Sequence, residues 1–208
     1  MRRLIAANGW ALLATAGAHG LRASHLPCLL DPEHDPGGPA RELVIVGHTA
    51  RADPTSRHLG EGREALLVFQ GPHGYISAAW YESGPSIPTW NFTAVHVYGV
   101  PQVLEGDEGL AVLERTVEHF EAVREEPWRL AGSMEYARRI APGTVPFRLR
   151  ATHVDAKAKL TQDKPPEVQD RVIAALERSG PYHQPRLAEE MRRVLGKPPN
   201  VATEECRR

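Results

Sequence analysis

Arginine, serine and histidine follow one another closely in an apolar segment near the start of the chain. Arg22, Ser24 and His25 lie within the strand-like run Leu21–Leu30. In an extended strand, Arg22 and Ser24 point to one face and His25 to the other. A guanidinium offers a planar fork of donors and a hydroxyl adds another, so this pair suits a phosphate or a propionate. The alternative is a solvated strand face at the rim of a barrel.

Two more histidines and an arginine follow. His48 and Arg51 lie where a strand of β-branched residues ends and a loop begins, and His58 comes a few residues later. A histidine at a strand end can cap the loop or reach an axial position on an iron. Both interpretations stay open for His48, and also for His58.

Aromatic residues are concentrated in Phe69–Tyr81 and Pro88–Gly99. Trp, Tyr and His are flat side chains with an apolar body and a polar edge, and here they gather around glycine and proline breaks. Such a cluster suits either a shelf for a planar ligand or the core of a small barrel. Trp90 and Asn91 alternate to opposite faces of a strand, so the Asn91 amide is free to bond the edge of a planar ring.

The elements that must position these residues are mostly strands in the first half and helices in the second. Asp53 is predicted to cap a short helix that opens with Pro54, and Asp107 to cap a longer one. The predicted strands are Trp10–Ala16, Leu21–Leu30, Leu43–His48, Glu64–Gln70, Tyr75–Ser77, Trp90–Leu104 and Phe147–Lys159. The other predicted helices are Ser133–Ile140, Pro165–Ser179 and one marked by Leu187 and Leu195. This order predicts a mainly β fold with helices, of class α+β.

Composition and charge restrict the kind of protein. The chain has 208 residues, 41% of them hydrophobic and 25% charged, which is typical of a globular domain. No apolar run is long enough to span a bilayer, and no signal peptide is visible, so the cytoplasm is the expected location. A net charge of −1 and the lack of a helix-turn-helix or zinc-finger pattern do not support direct DNA binding.

Five segments in order, within residues 8 to 163, give the chain a resemblance to a known family. The segments are Gly20–Pro27, Gly47–Pro54, the aromatic runs within residues 69 to 99, Glu126–Trp128 and Lys157–Gln162. They resemble the PaiB family of FMN-binding negative transcriptional regulators. The resemblance implies a split β-barrel of the FMN-binding type with C-terminal helices, and a homodimer with the cofactor at its interface. It also implies a cofactor-binding domain over residues 1–163, with helices and a tail over 164–208 packed on the same domain.

Under this resemblance, FMN is the expected cofactor and the chain is expected to have a regulatory role. Asn91 would then bond the edge of the flavin ring, and the end of the last strand would support the cofactor region. Two departures from the family pattern, Asp163 and the pair Ala78–Ala79, fall beside the expected site. The expected cofactor-binding residues are Arg22, Ser24, His25, His48, Arg51, Trp90, Asn91, Lys159 and Gln162.

The chain also resembles the related haem-dependent piperazate synthases, which form an N–N bond in N5-hydroxyornithine. Trp90–Thr93, Tyr136–Gly143 and Phe147–Arg150 carry this second resemblance. It implies haem b in place of FMN, with His48 as the first choice of axial iron ligand and His58 as the second. A cofactor-free relative that uses the barrel to bind a partner is a third alternative.

Overall fold

The computed structural model describes residues 1–198 except His19, Pro32, Pro36, Gly37, Pro39 and Ser83. The strands are β1 (Trp10–Gly17), β2 (Gly20–Leu30), β3 (Val44–Ala50), β4 (Ala65–Ile76), β5 (Thr89–Gly99), β6 (Pro101–Val103), β7 (Thr144–Arg150) and β8 (His153–Lys159). The α-helices are α1 (Arg2–Ala7), α2 (Gly106–Glu121), α3 (Met134–Ile140), α4 (Pro166–Glu177) and α5 (Pro185–Val194).

The eight strands form one sheet in the order β6-β7-β3-β2-β1-β4-β5-β8. The chain divides into two compact units, and it passes from one unit to the other within β4, β5 and β8. Unit 1 comprises Met1–Gln70 and Val95–Asp155, and unit 2 comprises Gly71–Ala94 and, of the described residues, 156–198. The division predicted at residue 163 remains a prediction.

In unit 1, side chains on one face of the strands, which are every second residue, form the core. In the β1–β2 hairpin, Ala11 pairs with Leu26 and Leu13 with Ser24, and these side chains point to one face of the sheet. The core on that face also receives side chains from β3, β4, β5 and β7; its largest fully buried members are Ile45, Leu67, Phe69, Phe147 and Leu149. Alternation predicted this hairpin correctly, because its two strands are neighbours in the sequence.

The two helices of unit 2 bury one stripe each. Val168, Val172 and Leu176 of α4 recur at four-residue steps and are buried, and Leu187 and Met191 of α5 do the same. Together with Ile76, Tyr81 and Leu160 they form the core of this unit. Periodicity predicted both helices because the apolar stripe of each is continuous in sequence.

Two of the predicted strands are each divided into two strands in the structure. The predicted strand Phe147–Lys159 is wrong as a single element, because the chain breaks at Ala151 and Thr152 between β7 and β8. There the Thr152 amide donates to the carbonyl of Tyr98, and its hydroxyl lies 2.8 Å from Glu64 Oε1. Likewise, Val100 interrupts the predicted strand Trp90–Leu104, just before Pro101, which has no amide proton to continue a ladder.

The predicted break at Gly71 and Pro72 is also wrong, since β4 continues through them to Ile76. The pairing of β4 with β1 ends at Val68, so the missing amide of Pro72 removes no bond from that ladder. The predicted cap of α2 lies two residues too late. Glu105 occupies the N-cap position without a side-chain cap bond, and Asp107 lies in the first turn.

None of the helices within the described residues has the length and apolar composition needed to cross a bilayer.

Candidate functional site

The register of the β1–β2 hairpin separates the predicted residues of β2 onto two faces. Arg22 pairs with Thr15 and Ser24 with Leu13, so both point to the core face at the end of the hairpin. Arg22 is exposed, and within the described part of the chain its guanidinium donates to the carbonyl of Leu21 alone. Most of the guanidinium donors therefore remain available to an anion.

Ser24 is engaged within unit 1. Its hydroxyl donates to Asp53 Oδ2 at 2.6 Å, and Asp53 Oδ1 accepts from the amide and the hydroxyl of Thr55. Asp53 is thus the N-cap of the 3₁₀ helix Pro54–His58, as the sequence predicts. Burial alone would raise the pKa of Asp53, but the hydrogen bonds from Ser24 and Thr55 outweigh it and lower the pKa below its usual value. Because the Ser24 hydroxyl is bonded to the Asp53 carboxylate, Ser24 helps to position the segment after β3 in this structure.

His25 lies on the opposite face, which we call the outer face: the side of β1, β2 and β3 that carries Trp10, Leu12, Leu21, His25 and His48. The rings of Trp10 and His25 stack at 6.3 Å between centroids with an interplanar angle of 16°. Trp10 is 62% exposed and Leu21 is 77% exposed. A flat aromatic pair on an apolar strand face is a surface suited to a planar ligand.

His48 shares the outer face. Its neighbour Gly47 pairs with Cys28 on the core side, so alternation turns the His48 ring outward. His48 Nδ1 is buried and has no hydrogen-bond partner among the described residues. Burial lowers the pKa of His48, so the imidazole is neutral at pH 7 and has one N–H donor and one acceptor nitrogen. A buried polar atom without a partner is uncommon and points to a missing ligand or water.

The second predicted iron ligand, His58, lies within the core of unit 1. It is 9% exposed, and its Nδ1 lies 2.9 Å from the hydroxyl of Thr15. The other side of its ring lies against Gly17, where a Cβ would come within 2.3 Å of His58 Nε2. Both ring nitrogens therefore have protein neighbours, which indicates a packing role for His58.

Arg51 extends from the end of β3 toward the connection between α3 and β7. Its Nε donates to the carbonyl of Pro142 at 2.6 Å, and its Nη2 donates to that of Thr144 at 3.2 Å. Arg51 lines a cleft of about 380 Å³ in unit 1. Arg22, Ser24, His25 and His48 do not line this cleft, so Arg51 is placed apart from them.

The predicted aromatic residue of unit 2, Trp90, lies in an aromatic row. Trp90 stacks with His73 at 6.5 Å and meets Tyr75 edge-on at 6.2 Å. Tyr182 extends the row, because it contacts both Tyr75 and Trp80. Trp90 is 55% exposed, so the row presents a ring face at the surface.

Asn91 is fully buried in unit 2. Its amide Nδ2 donates to the hydroxyl of Thr161 at 2.7 Å and lies 3.5 Å from Met191 Sδ. Thr161 has a φ of +64°, a left-handed conformation that a β-branched residue rarely adopts. Asn91 Oδ1 has no partner within the described part of the chain. The amide thus anchors the turn after β8.

The two remaining predicted residues lie beside that turn. Lys159 Nζ donates to the hydroxyl of Thr89. Gln162 bonds locally at both ends of its amide: Oε1 accepts from the amide of Leu160, and Nε2 donates to the carbonyl of Ala158. Gln162 therefore stabilises the end of β8.

Asp31, Glu33 and His34 place three potential metal-ligating atoms within 4.8 Å of one another. Two cations already compensate them. Arg148 Nε lies 2.9 Å from Asp31 Oδ2, and Arg115 contacts both Asp31 and Glu33. The group is therefore an ion-pair network that joins α2 and β7 to the loop after β2.

Comparison with known proteins identifies the family. A sequence model described as "Putative FMN-binding domain" matches residues 1–153. Over 177 residues the chain is 33% identical to the protease synthase and sporulation protein PAI 2 of Bacillus subtilis, covering 84% of this chain and 82% of that protein. The chain belongs to the PaiB family. The description of the matching model names FMN, the cofactor expected first from the sequence.

Solved structures share the fold of this PaiB-family chain. The FAD and haem binding protein from Mycobacterium smegmatis gives a TM-score of 0.56 at 14% identity, over 83% of this chain and 75% of that one. The flavocytochrome Anf3 from Azotobacter vinelandii gives 0.52 at 13% identity, over 76% and 65%. These likenesses confirm the predicted fold, a mainly β split barrel with helices.

Sequence reasoning missed Trp10 and the role of Asp53 as acceptor for Ser24. The signal for Trp10 was present, because β1 is apolar on both faces, as in a strand that is covered on both sides. The bond between Ser24 and Asp53 joins residues 29 positions apart, and no local pattern reports such a pair.

Proposed function

We propose that the protein binds FMN on the outer face and acts as a flavin-dependent regulatory protein in the cytoplasm. One observation carries the proposal: the exposed stack of Trp10 and His25 shares its strand face with His48, whose buried Nδ1 has no partner. A flavin ring supplies both a flat surface for stacking and polar edge atoms. The neutral His48 ring is suited to accept a hydrogen bond from such an edge.

The phosphate of FMN needs donors, and Arg22 offers them. Its guanidinium is exposed and, among the described residues, bonds only to the neighbouring carbonyl of Leu21. Arg22 and His25, however, point to opposite faces of β2. A homodimer that holds FMN at its interface removes this difficulty, because one copy can supply the ring surface and the other the arginine.

The apolar outer face supports such a homodimer. Alternate residues of β1 and β2 on this face are tryptophan, leucine, alanine and proline, with His25 among them. Helix α2 covers the β3 end of the face. Its Val112 forms a small buried cluster with Leu29 of β2, Val46 of β3 and Leu104. The β1–β2 part remains exposed, and an apolar patch of this kind is typical of an interaction surface.

The regulatory role rests on the resemblance of the chain to the PaiB family of FMN-binding negative transcriptional regulators. A net charge of −1 does not favour binding to DNA phosphates. We therefore propose that the protein acts through a partner or through flavin redox state, since bound FMN supplies hydride or one-electron chemistry.

An absorption spectrum of protein purified from riboflavin-supplemented cells tests the cofactor. Bands of bound flavin that disappear in Trp10→Ala support the proposal. A colourless protein that takes up no added FMN contradicts it and favours the cofactor-free, partner-binding alternative.

Haem b is the second candidate, and the same His48 nitrogen favours it. A neutral histidine with a free ring nitrogen is a suitable axial ligand, and the protein would then be an enzyme of the piperazate synthase type. Haem reconstitution of His48→Ala and His58→Ala separates the alternatives. A Soret band that is lost only in His48→Ala supports haem, whereas flavin binding by both variants with no haem uptake contradicts it.

A further inference from the structure

The cleft beside Arg51 is a feature of unit 1 that the proposed flavin site leaves unexplained. It holds about 380 Å³, within the range of small-molecule sites. Its floor is apolar, with Leu104, Leu110 and Pro146 among its lining residues. Leu104 and Leu110 are themselves almost fully buried.

One cation of the cleft is held in a fixed position. Arg51 donates to two main-chain carbonyls, at Pro142 and Thr144, through Nε and Nη2. A guanidinium has five N–H donors, so others remain for a ligand. Because the side chain is already ordered, a ligand that binds it causes little further loss of side-chain entropy.

The cleft carries charges of both signs. Arg138 is the second cation, and Glu105 and Asp107 are the anions. Arg138 and Asp107 pair with each other at 3.2 Å. Glu105 makes no side-chain bond at the N-cap of α2, so its carboxylate can accept from a ligand. Two cations and two anions favour neither a simple anion nor a simple cation.

We propose that this cleft binds a zwitterionic amino acid or short peptide with an apolar side chain. Arg51 and Arg138 take the carboxylate, Glu105 takes the ammonium, and the leucine and proline floor takes the side chain. None of Trp10, His25 and His48 lines the cleft. Pro146, which does, pairs with His48, so the test must separate this site from the flavin site.

Calorimetric titration of the full chain with l-leucine and l-phenylalanine tests the proposal. 4-Methylpentanoate and isoamylamine, which are leucine without its ammonium group and without its carboxylate, serve as matched probes. We expect saturable binding of the two amino acids and at least tenfold weaker binding of the single-charge probes. Arg138→Gln and Glu105→Gln should each weaken amino-acid binding about tenfold or more, and Arg124→Gln, an exposed arginine outside the cleft, should not.

The variant Ala141→Leu adds volume at the lining of the cleft without removing a charge, and it should also weaken binding. Absence of heat with either amino acid in the folded wild-type protein overturns the proposal, as does equal binding of 4-methylpentanoate. A loss of FMN affinity, rather than amino-acid affinity, in Arg138→Gln or Ala141→Leu also overturns the proposal, because the cleft would then belong to the flavin site. If FMN does not bind the protein, the amino-acid titrations still test this proposal, because they are carried out without FMN.

Discussion

The ring of His58 lies so close to Gly17 that a Cβ at residue 17 would come within 2.3 Å of His58 Nε2. On the same ring, Nδ1 lies 2.9 Å from the hydroxyl of Thr15. The last turn of the 3₁₀ helix is thus fixed onto β1 by one glycine and one hydrogen bond. The same segment begins at Asp53, which holds Ser24 of β2.

Gly17→Ala is therefore expected to destabilise the protein. The added methyl group displaces the His58 ring, and overpacking of this kind costs about 1–3 kcal/mol in the free energy of unfolding. Urea denaturation of the variant measures the loss. Gly132→Ala is the matched control, since a Cβ at residue 132 meets nothing within 4 Å. Equal stability of the two variants would contradict the packing of His58 described above.

Asp31→Asn tests the ion-pair network of unit 1. Asp31 is fully buried and accepts from Arg148 and His34, each at 2.9 Å. Loss of its charge leaves Arg148, itself 8% exposed, without its buried partner, at a cost of about 3 kcal/mol. Asp155→Asn, at an exposed pair with His153, should cost far less. Denaturation of both variants at pH 7 makes the comparison.

The pH dependence of stability should follow from the same carboxylate. Burial alone would raise the pKa of Asp31, but hydrogen bonds from Arg148 and the Glu33 amide, with the charges of His34 and Arg148, lower it below 3.8. The unfolded state therefore binds more protons, so the contribution of Asp31 is complete above its unfolded pKa and is lost as the pH falls through its folded pKa. Wild-type stability should fall more steeply below pH 4 than that of Asp31→Asn. Parallel curves would argue against this assignment.

Much of the fold was predictable from the sequence, and the reason is locality. The β1–β2 hairpin, the cap at Asp53 and the stripe of α4 each depend on residues a few positions apart. The continuity of β4 through Pro72 depends instead on which strands lie beside it. Which of the candidate site residues bind a cofactor stays a prediction. The sequence could not show that Ser24, Asn91 and His58 bond to Asp53, Thr161 and Thr15, because these partners lie far along the chain.

Asn91→Ala should reveal a structural role in unit 2. Removal of the amide leaves the buried Thr161 hydroxyl without its donor at a left-handed turn, at a cost of about 1–3 kcal/mol. Chemical denaturation measures this, with Gln102→Ala at an exposed position as the control. Unchanged stability with a loss of FMN affinity would instead support the predicted contact of Asn91 with the flavin ring.

Arg22→Gln should weaken FMN binding about tenfold to a hundredfold, because a charge-assisted bond to phosphate is lost. Riboflavin, which lacks the phosphate, should bind the variant and the wild-type protein equally. Arg124→Gln keeps the same change in net charge at another exposed position and should leave both affinities unchanged. An equal loss of riboflavin affinity in Arg22→Gln would show that Arg22 does not bind the phosphate.

Titration of the apo protein with FMN, followed by flavin fluorescence, tests the central claim most directly when Trp10→Ala is compared with Trp128→Ala. Both tryptophans are exposed in unit 1, but only Trp10 lies on the outer face beside His25. The account predicts saturable binding to the wild-type protein, at least tenfold weaker binding to Trp10→Ala and unchanged binding to Trp128→Ala. Binding that Trp10→Ala leaves unaltered, or no binding to the wild-type protein, would contradict a flavin site on the outer face.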